Sequence, residues 1–470
     1  MKGTYWYDRF LNNLEEKGQY FMKNRITIFL IMCLSTFFVA CSVNKDGQDN
    51  EQKLTQHQKA WIADIDGPLR EGLAKAAGVN EFVSDEERNA RLDTLIQLIQ
   101  SEDWNDDYIT YYIKELISDI HVAHINFNAT TEYKTDDYRK SYVMAGKWFE
   151  DGFYVFATLE EYKDSIGSKI VAINDIGIEE VLSRYDRLFS NETESYLKYC
   201  FEEHSKQGFL KSELEYLGIA EVGTNQVIFT LEKEGKRFEQ CVDAVDIAGG
   251  QELSIVDIYS DIEILPYGDE IYYSKGQPPF CYEIDKEHKT LYFQYNMCYD
   301  ATYMDELSEY LCFDEFMDQM IQDMKQNEAD INCFVIDLRN NLGGSELLWN
   351  AAIEKHGDYL KQYPIKILIG KATFSAAVDV IDRSLYALDN VTLYGEETGL
   401  AVHNYTECEN ISLENTGCEL SITNHKDDSY VLEKRAENIY AGVLSDIEVK
   451  QAFEDYLNGV DDVYLKAVSD

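Results

Sequence analysis

A chain of 470 residues that is 45% hydrophobic carries far too much apolar material to stay disordered, and its length fits two to four folded units. Against 42 Lys and Arg stand 87 Asp and Glu, a net charge of −45 that repels phosphate backbones and sets nucleic-acid binding aside. With five prolines in all, Pro-rich stalks or linkers are excluded as well.

Residues 26–40 (ITIFLIMCLSTFFVA) form an uncharged apolar run behind Lys23 and Arg25. That is the h-region and basic flank of a signal peptide, and it is short for a membrane span. The run closes on Val39-Ala40-Cys41, which resembles the lipobox of bacterial lipoproteins, so Cys41 is the expected lipidation site. Residues 1–41 then read as a leader, with Met22 as the expected natural start, and residues 42–58 as a polar tether. This places the chain in the cell envelope, held to the outer face of the bacterial cytoplasmic membrane by its lipid alone.

Residues 59–128 carry apolar positions at helical spacing and read as a helical region. From residue 147 the texture turns to strands at 153–157 and 169–174, a helix over 178–188 and paired strands over 226–241, with a helical insertion at 191–218 between them. The last part alternates: strand 290–296, helix 304–324, strand 333–338, a glycine turn and helix after Ser345, strand 365–369, helix 375–388, strand 391–394. Such an order builds an open α/β layer, in which chemistry gathers where strands end and helices begin. The whole chain is therefore expected to be α/β, or α+β overall, with a helical N-terminal region, a β-rich middle and a layered C-terminal core.

Eight cysteines follow Cys41, none in a CxxC pair and none near a histidine at zinc-finger spacing, so no metal cluster is expected. Cys298 and Cys333 lie in strand-like apolar runs and read as buried free thiols. There is no GxSxG elbow, HExxH, P-loop or GxGxxG, so the common hydrolase, zincin and nucleotide-binding signatures are missing.

Three elements carry possible chemistry. The loop Asp337-Leu338-Arg339-Asn340-Asn341-Leu342-Gly343-Gly344 leaves an apolar strand, and its two glycines can aim N–H groups into a cavity as an oxyanion hole, or simply make a turn. Ser375, in Lys371-Ala372-Thr373-Phe374-Ser375-Ala376-Ala377, stands at a helix start as a nucleophile or merely an N-cap. His124 follows the helical pattern: at about 100° per residue it falls within about 20° of the inward Ile113, whereas His121 lies near 80°, at the edge of the stripe.

Taken in order, the DLRNNxGG turn, the KATFSAA serine loop and Gly395-Glu396-Glu397-Thr398-Gly399 resemble the C-terminal processing (tail-specific) serine peptidases, closest to their tricorn-core-like branch. The resemblance implies a peptidase core over 255–470 and a PDZ-like module over 140–250. It assigns Ser375 as nucleophile, His124 as base, and the amides of Gly343, Gly344 and Ala376 as oxyanion donors. His124 matches the His of that branch's LIxxLxDAHT stretch, with Val122 and Ile125 departing from it. Glu437, in a stretch resembling ENxGVxPD, is the implied third member, with Glu397 as competitor and His403 and His121 as alternative bases. Gly399-Leu400-Ala401 lacks the lysine of the tail-specific branch, which disfavours a Ser–Lys dyad. The implied function is a lipid-anchored extracellular serine endopeptidase acting on peptide or protein substrates without metal or organic cofactor. The alternative is a decayed peptidase scaffold that binds peptides or small apolar ligands.

Overall fold

The computed structural model describes residues 54–101, 104–129, 139–247, 253–258 and 278–470. The leader, Cys41 and most of the tether lie outside them. Residues 55–470 form one compact unit. Among the described residues no helix is long and apolar enough to cross a membrane, and no group of His, Cys, Asp and Glu could hold a metal ion.

The N-terminal region packs helices Gln56–Asp64, Arg70–Lys75, Asp85–Ser101 and Asp106–Ser118 (α1) around Trp61, Leu69, Leu95 and Ile113. Its core does not close on itself. Leu413, Cys418, Leu420 and Ile422, from a hairpin nearly three hundred residues downstream, fill it. Strand Asn126–Asn128 (β1) completes the join by pairing antiparallel with that hairpin, Phe127 opposite Leu420.

The middle region curls a seven-stranded sheet over helices Ile178–Tyr185 and Glu194–Ser205 (α2), with Phe153, Tyr185, Phe201 and Phe229 buried between them.

The C-terminal layer holds strands Phe280–Asp285 (β2), Thr290–Tyr295 (β3), Cys333–Asp337 (β4), Ile365–Ile369 (β5) and Val391–Gly395 (β6). Its helices are Phe313–Gln326 (α3), Leu347–Leu360 (α4), Ala376–Ala387 (α5) and Asp462–Ser469 (α6). Strands Tyr405–Leu413 (β7) and Cys418–Lys426 (β8) form the hairpin that reaches the N-terminal helices, and Ile447–Glu448 (β9) adds the last strand, giving the sheet order β2-β3-β4-β5-β6-β9. β2 is antiparallel to β3 and every later pair is parallel. Strands buried on both faces read as continuous apolar runs, and the alternation decides which layer each residue meets. Phe293, Phe334, Ile336, Ile367 and Leu393 face α3, α4 and α5, while Tyr292, Val335, Leu368 and Tyr394 face Val463, Tyr464 and Ala467 of α6.

Two expectations need correction. The helix expected over 304–324 begins only at Phe313, because the Asp300 carboxylate accepts the Phe313 N–H and fixes the helix start there. The helical pattern extended through His124 stops earlier: α1 ends at Ser118, and His121 turns the chain at φ 52°. Cys298 and Cys333 are buried and free, as expected.

Candidate active site

The serine loop leaves β5 and is stitched to the glycine turn that leaves β4. Thr373 Oγ1 donates to the Leu338 carbonyl (2.8 Å) and the Phe374 N–H to the Asn341 carbonyl (3.0 Å). Ser375, the N-cap of α5, is held at φ 52°, ψ −132°. A non-glycine residue there costs about 1–3 kcal/mol and persists only where its surroundings over-determine it. The hydroxyl thus stands proud of a strand-to-helix turn, at the positive end of a 12-residue helix.

Gly343 and Gly344 have φ of +99° and +136°. A Cβ on Gly343 would sit 2.6 Å from the Ser375 Cβ, and one on Gly344 would sit 2.6 Å from the Cys298 carbonyl oxygen. Both are therefore glycine for closeness as well as for φ. The oxyanion assignment changes in one respect. The Gly343 N–H already donates to Asn341 Oδ1 (2.8 Å), and Asn341 Nδ2 is itself fixed on the Tyr295 carbonyl (2.8 Å). Gly343 is thus spent on shaping the turn. The N–H groups of Gly344 and Ala376 make no hydrogen bond among the described residues and are free to donate.

His124 arrives from the other side of the molecule, on the loop between α1 and β1. Its Nε2 lies 3.1 Å from Ser375 Oγ, and its ring lies 4.7 Å from that of Phe374. Burial lowers its pKa to about 4, against the pull of the Asp427 carboxylate and the Tyr405 backbone. For Nε2 to accept the serine proton, the ring proton must sit on Nδ1, and the Tyr405 backbone is the acceptor beside the ring.

The other predicted residues are not brought to the serine. His121 is exposed, edge-on to Phe82, because the helix meant to carry it has ended. His403 Nε2 pairs with Glu81 (2.9 Å). Glu437 is exposed just beyond the short helix Leu432–Arg435. Glu397 is held by the Gly442 N–H (2.8 Å) and the Ser195 hydroxyl (3.4 Å), with its pKa raised by burial.

No family model and no curated protein matches the chain. Solved structures do. Mature CPAF aligns at 13% identity over 88% of this chain and 96% of that chain, with a TM-score of 0.56. Mature CPAF complexed with lactacystin aligns at 14% identity over 88% and 98%, again with a TM-score of 0.56. This chain has the CPAF fold. The fold expected from the resemblance is thus the one found. The tricorn protease aligns at 14% identity over 88% of this chain and 36% of that chain, with a TM-score of 0.39.

Within the CPAF fold, further features of the site escape a reading of the sequence. Asp427, just past β8, is the charge that favours a protonated His124. It hydrogen-bonds Asp379 of α5, whose pKa is pushed well up by burial and then by Asp427. Asp382, one turn further along α5, anchors the adjoining segment by accepting from Ser429 Oγ and the N–H groups of Tyr430, Val431 and Leu432. Arg339 is also structural: it bridges Asp337 (2.6 Å) and Asp461 (2.7 Å), tying the glycine turn to the start of α6. Glu192 grips backbone on both sides of the site. Asp427 follows a lysine at a charged strand end, and Glu192 is one acid among 87, so neither stood out.

Proposed function

We propose that the chain is a serine endopeptidase. The observation that carries this is the strained Ser375 at a helix N-terminus with its Oγ 3.1 Å from His124 Nε2. His124, neutral at any pH well above about 4, takes the Ser375 proton as Oγ attacks a peptide carbonyl. The developing oxyanion lies between the Gly344 and Ala376 amides, which are already oriented and need no reorganisation. The imidazolium formed meanwhile is disfavoured by burial and offset by Asp427. It returns its proton to the leaving amine, and water then enters by the same route to free the enzyme.

A fluorophosphonate probe tests the reading: the full chain labels at Ser375, and a Ser375→Ala variant does not. Because mature CPAF is described in complex with lactacystin, that compound is a second probe for Ser375 here. A second reading, a peptide- or apolar-ligand-binding protein on the same scaffold, draws on Val122 and Ile125, where the His124 stretch departs from that of the peptidases it resembles. Ligand binding with no labelling favours it.

The proposal extends to location. The h-region ending at Cys41 supports export and lipidation there, with the folded body outside the cytoplasmic membrane. Mass spectrometry of the mature N-terminus is expected to find a diacylated Cys41, and an unmodified N-terminus elsewhere contradicts it.

A further inference from the structure

Ser375 and His124 belong to loops that share no covalent neighbourhood, so something must hold them 3.1 Å apart. β1 fixes the chain just after His124, by pairing with β8. Before His124, the contacts come from the middle region, from the turn and first residues leading into α2. Ser190 Oγ donates to the Val122 carbonyl (2.8 Å). Glu192 accepts the Ala123 N–H on Oε1 (3.1 Å) and the Ala401 N–H on Oε2 (3.1 Å). Thr193 Oγ1 donates to the Gly399 carbonyl (2.7 Å). Tyr196 stacks on Phe374 (4.3 Å between ring centres, 13° between planes), the ring against which His124 packs. Residues 190–196 thus touch the His124 loop, the 399–401 loop and the residue before Ser375.

Resting on the reading of Ser375 and His124 as a catalytic pair, we infer that Glu192 is a positioning residue: its carboxylate spans the amides of Ala123 and Ala401 and sets the depth of His124 against Ser375. Both oxygens are used, each on one backbone N–H, so a carboxylate fits and an amide does not. Glutamine would turn an NH₂ donor toward one of the two N–H donors. Nor is the group decorative. Burial pushes its pKa up to about 8, the two amides oppose that rise, and Glu81 adds to it. A carboxyl kept in so unfavourable a place, with no cation facing it among these causes, is retained for what it holds.

The titration follows from the same contacts. Ionised, Glu192 accepts both amides with full charge assistance. Protonated, one oxygen becomes a hydroxyl and the grip loosens. The His124 loop should therefore be set most firmly above about pH 8. The other titratable groups around Glu192 are Glu81 and, bound to Glu81, His403 and Tyr405. A Glu192 variant separates its own step from theirs.

The test uses the full chain, a fluorophosphonate and a fluorogenic peptide that the parent cleaves, each followed from pH 4 to 9.5, with thermal unfolding as the folding control. Glu192→Gln is expected to lower the labelling rate and kcat by about 10- to 100-fold, the scale of a small misplacement of a reacting group. KM should stay unchanged, and the upper step near pH 8 should vanish. Glu194→Gln, an exposed carboxylate paired with Lys198, should match the parent. Parent-like rates and pH profile in Glu192→Gln overturn the proposal and leave the Ser375–His124 pair standing. Failure of the parent to label removes the pair itself, and this proposal with it. Should Glu192→Gln not fold, Glu192→Asp decides instead: one amide is lost, so a slower reaction that keeps its upper step is expected, and a parent-like rate overturns the inference.

Discussion

The two halves of the site are built by different means. The serine half is local: Ser375 and the glycine turn leave adjacent parallel strands, β5 and β4, and are fixed to each other within a few residues of those strands. The histidine half is assembled from three distant pieces, namely the end of α1, the hairpin of β7 and β8, and residues 190–196. A half made of neighbours is held by sheet geometry. A half made of strangers depends on single hydrogen bonds, so it is where small changes should act on rate without acting on fold.

The largest effects should come from the contact between the halves. Ser375→Ala and His124→Ala are each expected to lower kcat by about 10³-fold or more, and the double variant no further, because members of one catalytic unit fail together. Additive losses, read from kcat on a common peptide, would break the pairing.

Next comes the serine half alone. Gly343→Ala places a Cβ 2.6 Å from the Ser375 Cβ at a φ of +99°, and neither the strained serine nor the turn can yield cheaply. A loss in kcat of about 10²-fold, with a lower unfolding midpoint, is expected. Gly343→Ala with parent-like kcat shows that the loops are less closely fitted than the structure has them.

The histidine half should answer more mildly and in its pH profile. Asp427 raises the pKa of His124, so Asp427→Asn should move the acid limb of kcat/KM to lower pH, below the parent's midpoint near 4, and cost about tenfold in kcat as the imidazolium loses its charge partner. A limb that moves up in pH contradicts the role given to Asp427. The sign for stability runs with the same group. The folded-state pKa of His124 lies below its ordinary value of 6.5, so between about pH 6.5 and 4 the unfolded chain binds more protons and the fold loses stability as pH falls.

The smallest effects are expected at the predicted residues that the fold keeps away from Ser375. Glu437→Ala and His403→Ala should each stay within about twofold of the parent in kcat, since one is exposed and the other is committed to Glu81. A large loss in either restores it as a member of the site.

This asymmetry also governed what could be read in advance. The serine half was legible because strand, turn and helix are contiguous there, so motif and geometry coincide: Gly343, Gly344, Ser375 and Ala376 lie within thirty-four positions. The layered α/β core was legible for the same reason. His124 was singled out, but on a helix that has already ended by Ser118, so its phase on the apolar stripe was no real evidence. What places it is the pairing of Phe127 with Leu420, a contact across nearly three hundred residues that no local period encodes. Glu192 and Asp427 escape because in a chain with 87 acids a functional carboxylate looks like a solvated one, and only its contacts in the fold tell them apart. The Gly343 amide differs from its expected role for a subtler reason: a side-chain acceptor two residues upstream, on Asn341, takes the N–H that the glycine pattern offers.

The central claim is that Ser375 is activated by a half-buried, neutral His124. The rate of Ser375 labelling by a fluorophosphonate, measured against pH in the parent and in His124→Ala, addresses it most directly. The account predicts single-site labelling that rises through a midpoint near pH 4 and falls to background across the range in His124→Ala. Labelling that persists in His124→Ala, or a midpoint at the ordinary histidine value of 6.5, would contradict it.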